Sequence, residues 1–201
     1  MTADIILRSA GLERTSTCAV DVDEARCIDR AKAGDEAAFG WLLSRYRQRA
    51  VRTAAHILGN PNEAEDVAQE AFIRAFRGIR QLRADQAFLP WFYRIVVRLC
   101  LDRKRLARWT SEDSSAAFEH GVDTGFSGAV AERVVVEQLL RRLSPPLRAV
   151  LVLRELEGLD YDDVAQTLGI PIGTVRSRLN VARGQFRKLW TEAVGEDLDD
   201  E

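Results

Sequence analysis

Between Leu168 and Leu189 the chain reads LGIPIGTVRSRLNVARGQFRKL, and the side chains there that can do chemistry are cations and hydrogen-bond donors. Thr174, Arg176, Ser177, Arg178, Asn180, Arg183 and Arg187 follow a Gly-Ile-Pro corner, and Val164 to Thr191 holds five bases and no acid. At about 100° per residue, Val175, Leu179, Ala182, Phe186 and Leu189 fall on one side, a stripe that must be buried. Arg176, Asn180, Arg183 and Arg187 collect on the flank. A short helix, a Gly-containing turn and a second helix make a helix-turn-helix, whose second helix reads base edges with its N-terminal residues. Arg176 suits a guanine, a contact worth about 1–3 kcal/mol of discrimination. Ser177 and Arg178 suit bases or phosphates. Arg183, Arg187 and Lys188 lie deeper along the helix and suit phosphates, which fix register without specifying sequence. The same face would also serve as the solvated side of an ordinary amphipathic helix. The Gly-turn-Pro corner and the missing acids weigh for DNA.

Two other segments carry patterned charge. In AFLPWFYRIVVRLCLDRKRLARW, Phe88, Trp91, Phe92, Ile95, Leu99 and Leu106 form an apolar stripe with Arg94, Arg98, Arg105 and Arg108 beside it. The aromatics read as core. The arginine row fits a nucleic-acid backbone as well as it fits solvent. In NPNEAEDVAQEAFIRAFRGI the residues Ala68, Phe72, Ala75, Phe76 and Ile79 are expected to be buried, with Glu63, Asp66 and Glu70 forming an acidic ridge. Such acids complement a helix dipole. On a DNA-binding protein they would otherwise need a protein partner, since they repel phosphate. Catalysis is not expected: His56 and His120 stand apart, and no Gly-rich phosphate loop occurs. Cys18, Cys27 and Cys100 are odd in number and widely spaced, which points to reduced thiols rather than a metal or redox site. No cofactor or metal is expected.

These segments must be held by helices. Helical periodicity dominates and strand alternation is nearly absent, so the expected class is all-α. Helices are predicted at about 23–33, 37–58, 62–79 and 88–108. Four more follow at about 132–143, 145–157, 161–168 and from the Gly169–Pro171 turn to 193. Ser144 is expected to cap the second of these, with Pro145 at its first position. Residues 111–128, rich in Ser, Gly and acid, read as a linker. The resulting division is an N-terminal extension 1–22, a domain 23–108, a linker 109–131, a domain 132–193 and an acidic tail 194–201. The formal net charge of -2 does not exclude DNA, because the charge is segregated. Asn60–Phe72 holds four acids and no base, whereas Arg98–Arg108 holds five bases against Asp102. No window approaches the roughly 18–20 apolar residues of a membrane span, and the N-terminus lacks a signal-peptide layout, so a soluble cytoplasmic protein is expected.

EDVAQEAFIRAFR, then AFLPWFYRIVVR, then an acidic linker, then LSPPLRAVLVLRELEGLDYDDVAQTLGIPIGTVRSRL resembles a bacterial sigma factor of the sigma-70 family, extracytoplasmic-function type. The resemblance spans about residues 23–190 and has both blocks in order. It implies two helical domains, regions 2 and 4. It implies that Glu63, Asp66, Gln69 and Glu70 grip the β′ clamp helices of core RNA polymerase and that the second domain meets the β flap. It implies that Arg80, Arg83, Asp85, Gln86, Arg94, Arg98 and Arg105 read and open the promoter -10 element, with a base flipped into a pocket on the preceding loop. Thr174, Arg176, Ser177, Arg178, Asn180, Arg183 and Arg187 would read the -35 element. It further implies an anti-sigma factor as partner. Relatives often carry Asn at the position of Arg98, and Arg offers donors without an acceptor. They also often read Arg-Ala-Arg where this chain has Val181-Ala182-Arg183. On the residues alone, the alternative is a self-standing helix-turn-helix regulator with an N-terminal sensor or dimerisation domain.

Overall fold

The computed structural model describes residues 22–83, 88–110 and 129–194, all arranged as helices and their connections. The expected N-terminal extension, most of the linker and the acidic tail lie outside the described residues, as do Asp85 and Gln86. Helices α1 (Val22–Lys32), α2 (Glu36–Leu58), α3 (Pro61–Gly78) and α4 (Phe88–Thr110) form the N-terminal unit. A single 3₁₀ turn, Ile79–Gln81, follows α3. The C-terminal unit consists of α5 (Ala129–Arg142), α6 (Pro145–Leu151), α7 (Tyr161–Leu168) and α8 (Ile172–Val194).

The helix ends follow from local chemistry. Asp35 caps α2 by accepting the Ala38 N–H at 3.1 Å, and Gly59 closes it at φ 75°, where a side chain would be strained. Asn60 caps α3 through the Asn62 N–H and itself donates to the Glu63 carboxylate at 2.8 Å, with Pro61 in the first turn. Asp160 caps α7 through the Asp163 N–H at 2.7 Å, and Gly169 closes it at φ 65°. Ser144 holds the N-cap position of α6 but makes no side-chain bond there, contrary to expectation; its carbonyl accepts the Arg148 N–H. Continuing from α6, residues Val152–Leu156 form a π turn, in which the Glu157 N–H reaches the Val152 carbonyl. This widening is absent from the regular helix predicted over 145–157.

The core is continuous through both units. Phe72 and Phe92 meet at 4.6 Å between ring centroids, Phe88 stacks on Phe92 at 5.7 Å, and Tyr46 lies 5.4 Å from Phe88. Leu139, Val150, Leu153, Val175, Leu179, Ala182 and Phe186 fill the C-terminal unit, so the stripe predicted on α8 is buried, with Leu189 half-buried. The two units are in contact: α4 packs against α7, and α2 against α5 and α6. Phe76, expected inside, is 47% exposed. It lies beside the buried stripe of α3, edge-on to Phe39 at 5.0 Å, where no further helix covers it.

Candidate nucleic-acid and protein interfaces

On α8 the expected reading residues separate by environment. The helix follows Gly169 and Pro171, and Val175, at no exposure, anchors its first turn against the other helices. That anchoring turns Arg176, Ser177 and Asn180 outward, all exposed, with Thr174 and Arg178 half-buried at the edges. The Ser177 hydroxyl donates to the Thr174 carbonyl at 3.1 Å, the usual local bond of an unengaged serine in a helix. Arg187 and Lys188 are exposed further along, with Glu192 3.9 Å from Lys188. Arg183 departs from expectation. Its guanidinium donates twice to the Glu155 carboxylate, at 3.0 and 2.5 Å, and that carboxylate is buried. Burial works against the charge of Arg183, but the bonds to Glu155 hold its pKa above the ordinary value. This arginine ties α8 to the π turn before it serves any phosphate.

In the N-terminal unit, Arg80 and Arg83 are exposed just beyond α3, and Arg94 and Arg98 are exposed on α4, one turn apart. The opposite face of α4 is fixed by Phe88, Phe92, Val96 and Cys100, which are buried; Trp91 and Ile95 are only partly so. Arg105 falls on the same helix. The structure therefore brings Arg94 and Arg98 to one open face of α4.

The acidic ridge of α3 is exposed and lies next to apolar surface. Asp66 is 70% exposed with Arg103 at 3.7 Å, and Glu70 pairs with Arg74 at 2.7 Å, one turn along the same helix. Glu63 is bonded to the Asn60 cap. Asp66 and Gln69 form one wall of a groove of about 780 Å³ between α2 and α3. Its floor and far side are Phe39, Leu43, Phe72, Ile73 and Phe76. Leu43, Ile73 and Phe76 are large apolar side chains open to solvent, the mark of a binding surface. The sequence reading found the acids and missed the apolar floor. The available signal was that Ile73 and Phe76 share a helical flank with Asp66 and Gln69, so they could not all be buried with Phe72.

Among the described residues no group of three or more His, Cys, Asp or Glu side chains could hold a metal ion, and no helix is long and apolar enough to cross a membrane. What the fold presents is an apolar-acidic groove on one helical unit, an arginine face on α4, and a basic helix-turn-helix on a second unit. That is the layout of a DNA-binding protein that also docks on another protein.

Comparison with known proteins agrees. The description "Sigma-70 region 2" matches residues 42–110 and "Sigma-70, region 4" matches residues 133–185. The RNA polymerase sigma-H factor of Pseudomonas aeruginosa is 33% identical over 180 residues, covering 82% of this chain and 92% of that one. The ECF RNA polymerase sigma factor SigW of Bacillus subtilis is 33% identical over 175 residues, covering 80% and 93%. Among solved structures, the sigma factor RpoE of Bartonella quintana in complex with the anti-sigma factor NepR superimposes with a TM-score of 0.64 at 21% identity, covering 81% of this chain and 98% of that one, and shares the fold. The chain belongs to the sigma-70 family of RNA polymerase sigma factors, among the extracytoplasmic-function members.

Proposed function

We propose that this sigma factor docks on core RNA polymerase through the groove between α2 and α3, reads the -10 element with Arg80, Arg83, Asp85, Gln86, Arg94, Arg98 and Arg105, and reads the -35 element with the start of α8. The observation that carries this reading is the separation of surfaces in one chain. The groove offers acids beside exposed Ile73 and Phe76, which suits a basic, amphipathic helical partner and repels DNA. Arg176, Arg187 and Lys188 of α8 face solvent, and that helix carries no acid before Glu192. Arg176 is the base reader, Asn180 suits an adenine, and Arg178 and Arg187 hold phosphates. Arg183 contributes to the same face mainly by fixing α8. The chain works in the cytoplasm, where polymerase and promoter are, and an anti-sigma factor restrains it by covering one of these surfaces.

The test is transcription by purified bacterial core polymerase on a randomised promoter library, with sequencing of the transcripts that depend on this protein. Two enriched boxes at a fixed spacing are expected. Arg176→Ala should relax one position of the upstream box and leave polymerase binding intact, and Asp66→Lys should abolish polymerase binding and leave duplex binding intact. Normal polymerase binding by Asp66→Lys would remove the groove from the assignment.

A further inference from the structure

Leu43, Ile73 and Phe76, all open to solvent, line the groove of the N-terminal unit. Val181 is as exposed, at 48%, but stands on α8 of the other unit. A lone exposed valine is ordinary on a protein surface. The neighbours of this one are not. With Val175 pointing inward at 0° and about 100° per residue, Gly184, Ser177, Lys188 and Val181 fall at about 180°, 200°, 220° and 240°. The valine therefore lies near the middle of the outward face, bordered by Arg176 and Asn180 on one side and by Arg178 on the other. The strip around it is low. The Ser177 hydroxyl turns back to donate to the Thr174 carbonyl at 3.1 Å, and Gly184 has no side chain. A methyl group added at Gly184 would meet nothing within 4 Å, so no packing demands a glycine there. Among the exposed residues of this strip the valine alone presents an apolar side chain.

A phosphate offers such a side chain nothing, so the chemistry that suits it is on the bases. In the major groove the base edges carry hydrogen-bond donors and acceptors and one apolar substituent, the 5-methyl group of thymine. Against guanine N7 and O6 or cytosine N4 the valine would exclude water and make no hydrogen bond in exchange. Against thymine two apolar surfaces leave water together. Branching at Cβ holds a helical valine in one χ1 rotamer, so its methyl groups stand in a fixed place before DNA arrives and little side-chain freedom is lost on contact. Five positions separate Val181 from Arg176, about 7.5 Å along the axis at about 1.5 Å per residue. That is about two base-pair steps of roughly 3.4 Å. Arg178 and Lys188, on either side of the valine along the helix, are placed to hold the phosphates that keep it in the groove.

We propose that Val181 is a specificity-determining residue of α8 that reads the 5-methyl group of a pyrimidine, a thymine in the upstream promoter element about two base pairs from the base met by Arg176. The proposal rests on the assignment of α8 to the -35 element made above, and adds to it a base contact that uses no hydrogen bond. Cytosine methylated at carbon 5 carries the same group at the same ring position, and the same side chain accepts it.

Run-off transcription by holoenzyme, reconstituted from bacterial core polymerase and the full chain, tests this on synthetic templates carrying the upstream box that the promoter library selects. Each thymine of the box is replaced in turn by uracil, which keeps every hydrogen-bonding group of the base pair and lacks only the methyl group. At limiting holoenzyme one replacement should lower wild-type transcription about fourfold, the effect of one buried methyl group. Val181→Ala, with circular dichroism matching the wild type, should use the thymine and uracil templates equally at that position, whereas Arg176→Ala should keep their ratio. With a C·G pair at the same position, methylation of the cytosine at carbon 5 should raise wild-type transcription about fourfold and leave Val181→Ala unchanged. A uracil effect that persists undiminished in Val181→Ala overturns the proposal, because the methyl group then acts through another residue or through duplex shape. A box in which no uracil replacement matters also overturns it, and if Arg176→Ala still relaxes one position there, the -35 assignment stands. A library that yields no upstream box removes α8 from promoter reading, and this contact with it.

Discussion

Arg176 and Arg183 lie on the same flank of α8, yet they do different work, because only one of them meets a buried carboxylate. Replacing Arg183 with alanine leaves the Glu155 carboxylate buried without its guanidinium. Breaking a fully buried pair costs about 3–5 kcal/mol, and the partial exposure of Arg183 reduces this to about 2 kcal/mol. Thermal unfolding should therefore shift down by about 4–8 °C for Arg183→Ala and hardly at all for Arg176→Ala. Equal shifts would show that Glu155 is stable without its partner. Asp35 supplies a pH dependence. The Ala38 N–H, with help from Arg30, holds its carboxyl below the usual carboxylate range. A depressed pKa contributes stability above the unfolded value, near pH 4, that is lost as pH falls through the folded one. Asp35→Asn keeps the cap but not the charge. Its urea midpoint should fall less than that of the wild type between about pH 6 and pH 2.5.

At the scale of the helices, closing glycines share a backbone conformation and differ in surroundings. Gly59 and Gly169 are both left-handed, at φ 75° and 65°. A methyl group at Gly169 would meet nothing within 4 Å, whereas at Gly59 it would lie 3.0 Å from Arg141 Cγ and 3.4 Å from Arg148 Nη1. Gly169→Ala should cost about 1–2 kcal/mol, the strain of the backbone alone. Gly59→Ala should cost more by denaturant titration, because it also crowds Arg148 where that residue joins the two units. Equal losses would mean that the Arg141 side chain simply swings aside. The helices were legible in the sequence because their ends are local events: Asp35, Asn60 and Asp160 cap, and Gly59, Gly158 and Gly169 stop. The π turn was not, and Phe76 was misplaced despite the flank it shares with Asp66 and Gln69. The winding of that turn depends on which helix packs opposite, and a helical wheel carries no information about neighbours.

For the molecule as a whole, net charge is a poor guide and placement a good one. With Arg178, Arg187 and Lys188 on phosphates, as proposed, duplex binding should show a counterion-release slope of about -3 in log K against log salt, and Arg187→Ala should flatten it by about one. A slope near zero would remove α8 from DNA. The two-unit plan and the helix-turn-helix were readable from composition breaks and the Gly-Ile-Pro corner. The seating of one unit on the other was not, since Glu157 reads as one more acid near a helix end until Arg49, over a hundred positions earlier, is brought beside it. The π turn makes this seating a matter of residue count. Glu155 and Glu157, two positions apart at its end, point to opposite sides, the one to Arg183 and the other to Arg49. Deleting Leu156 would leave the two carboxylates about 100° apart instead of on opposite sides, so Arg183 and Arg49 could not both be met. The chain would keep its charge and nearly all its helices, yet lose one of these two ties. Lineages carrying this sequence should therefore tolerate substitution here far better than a change in length.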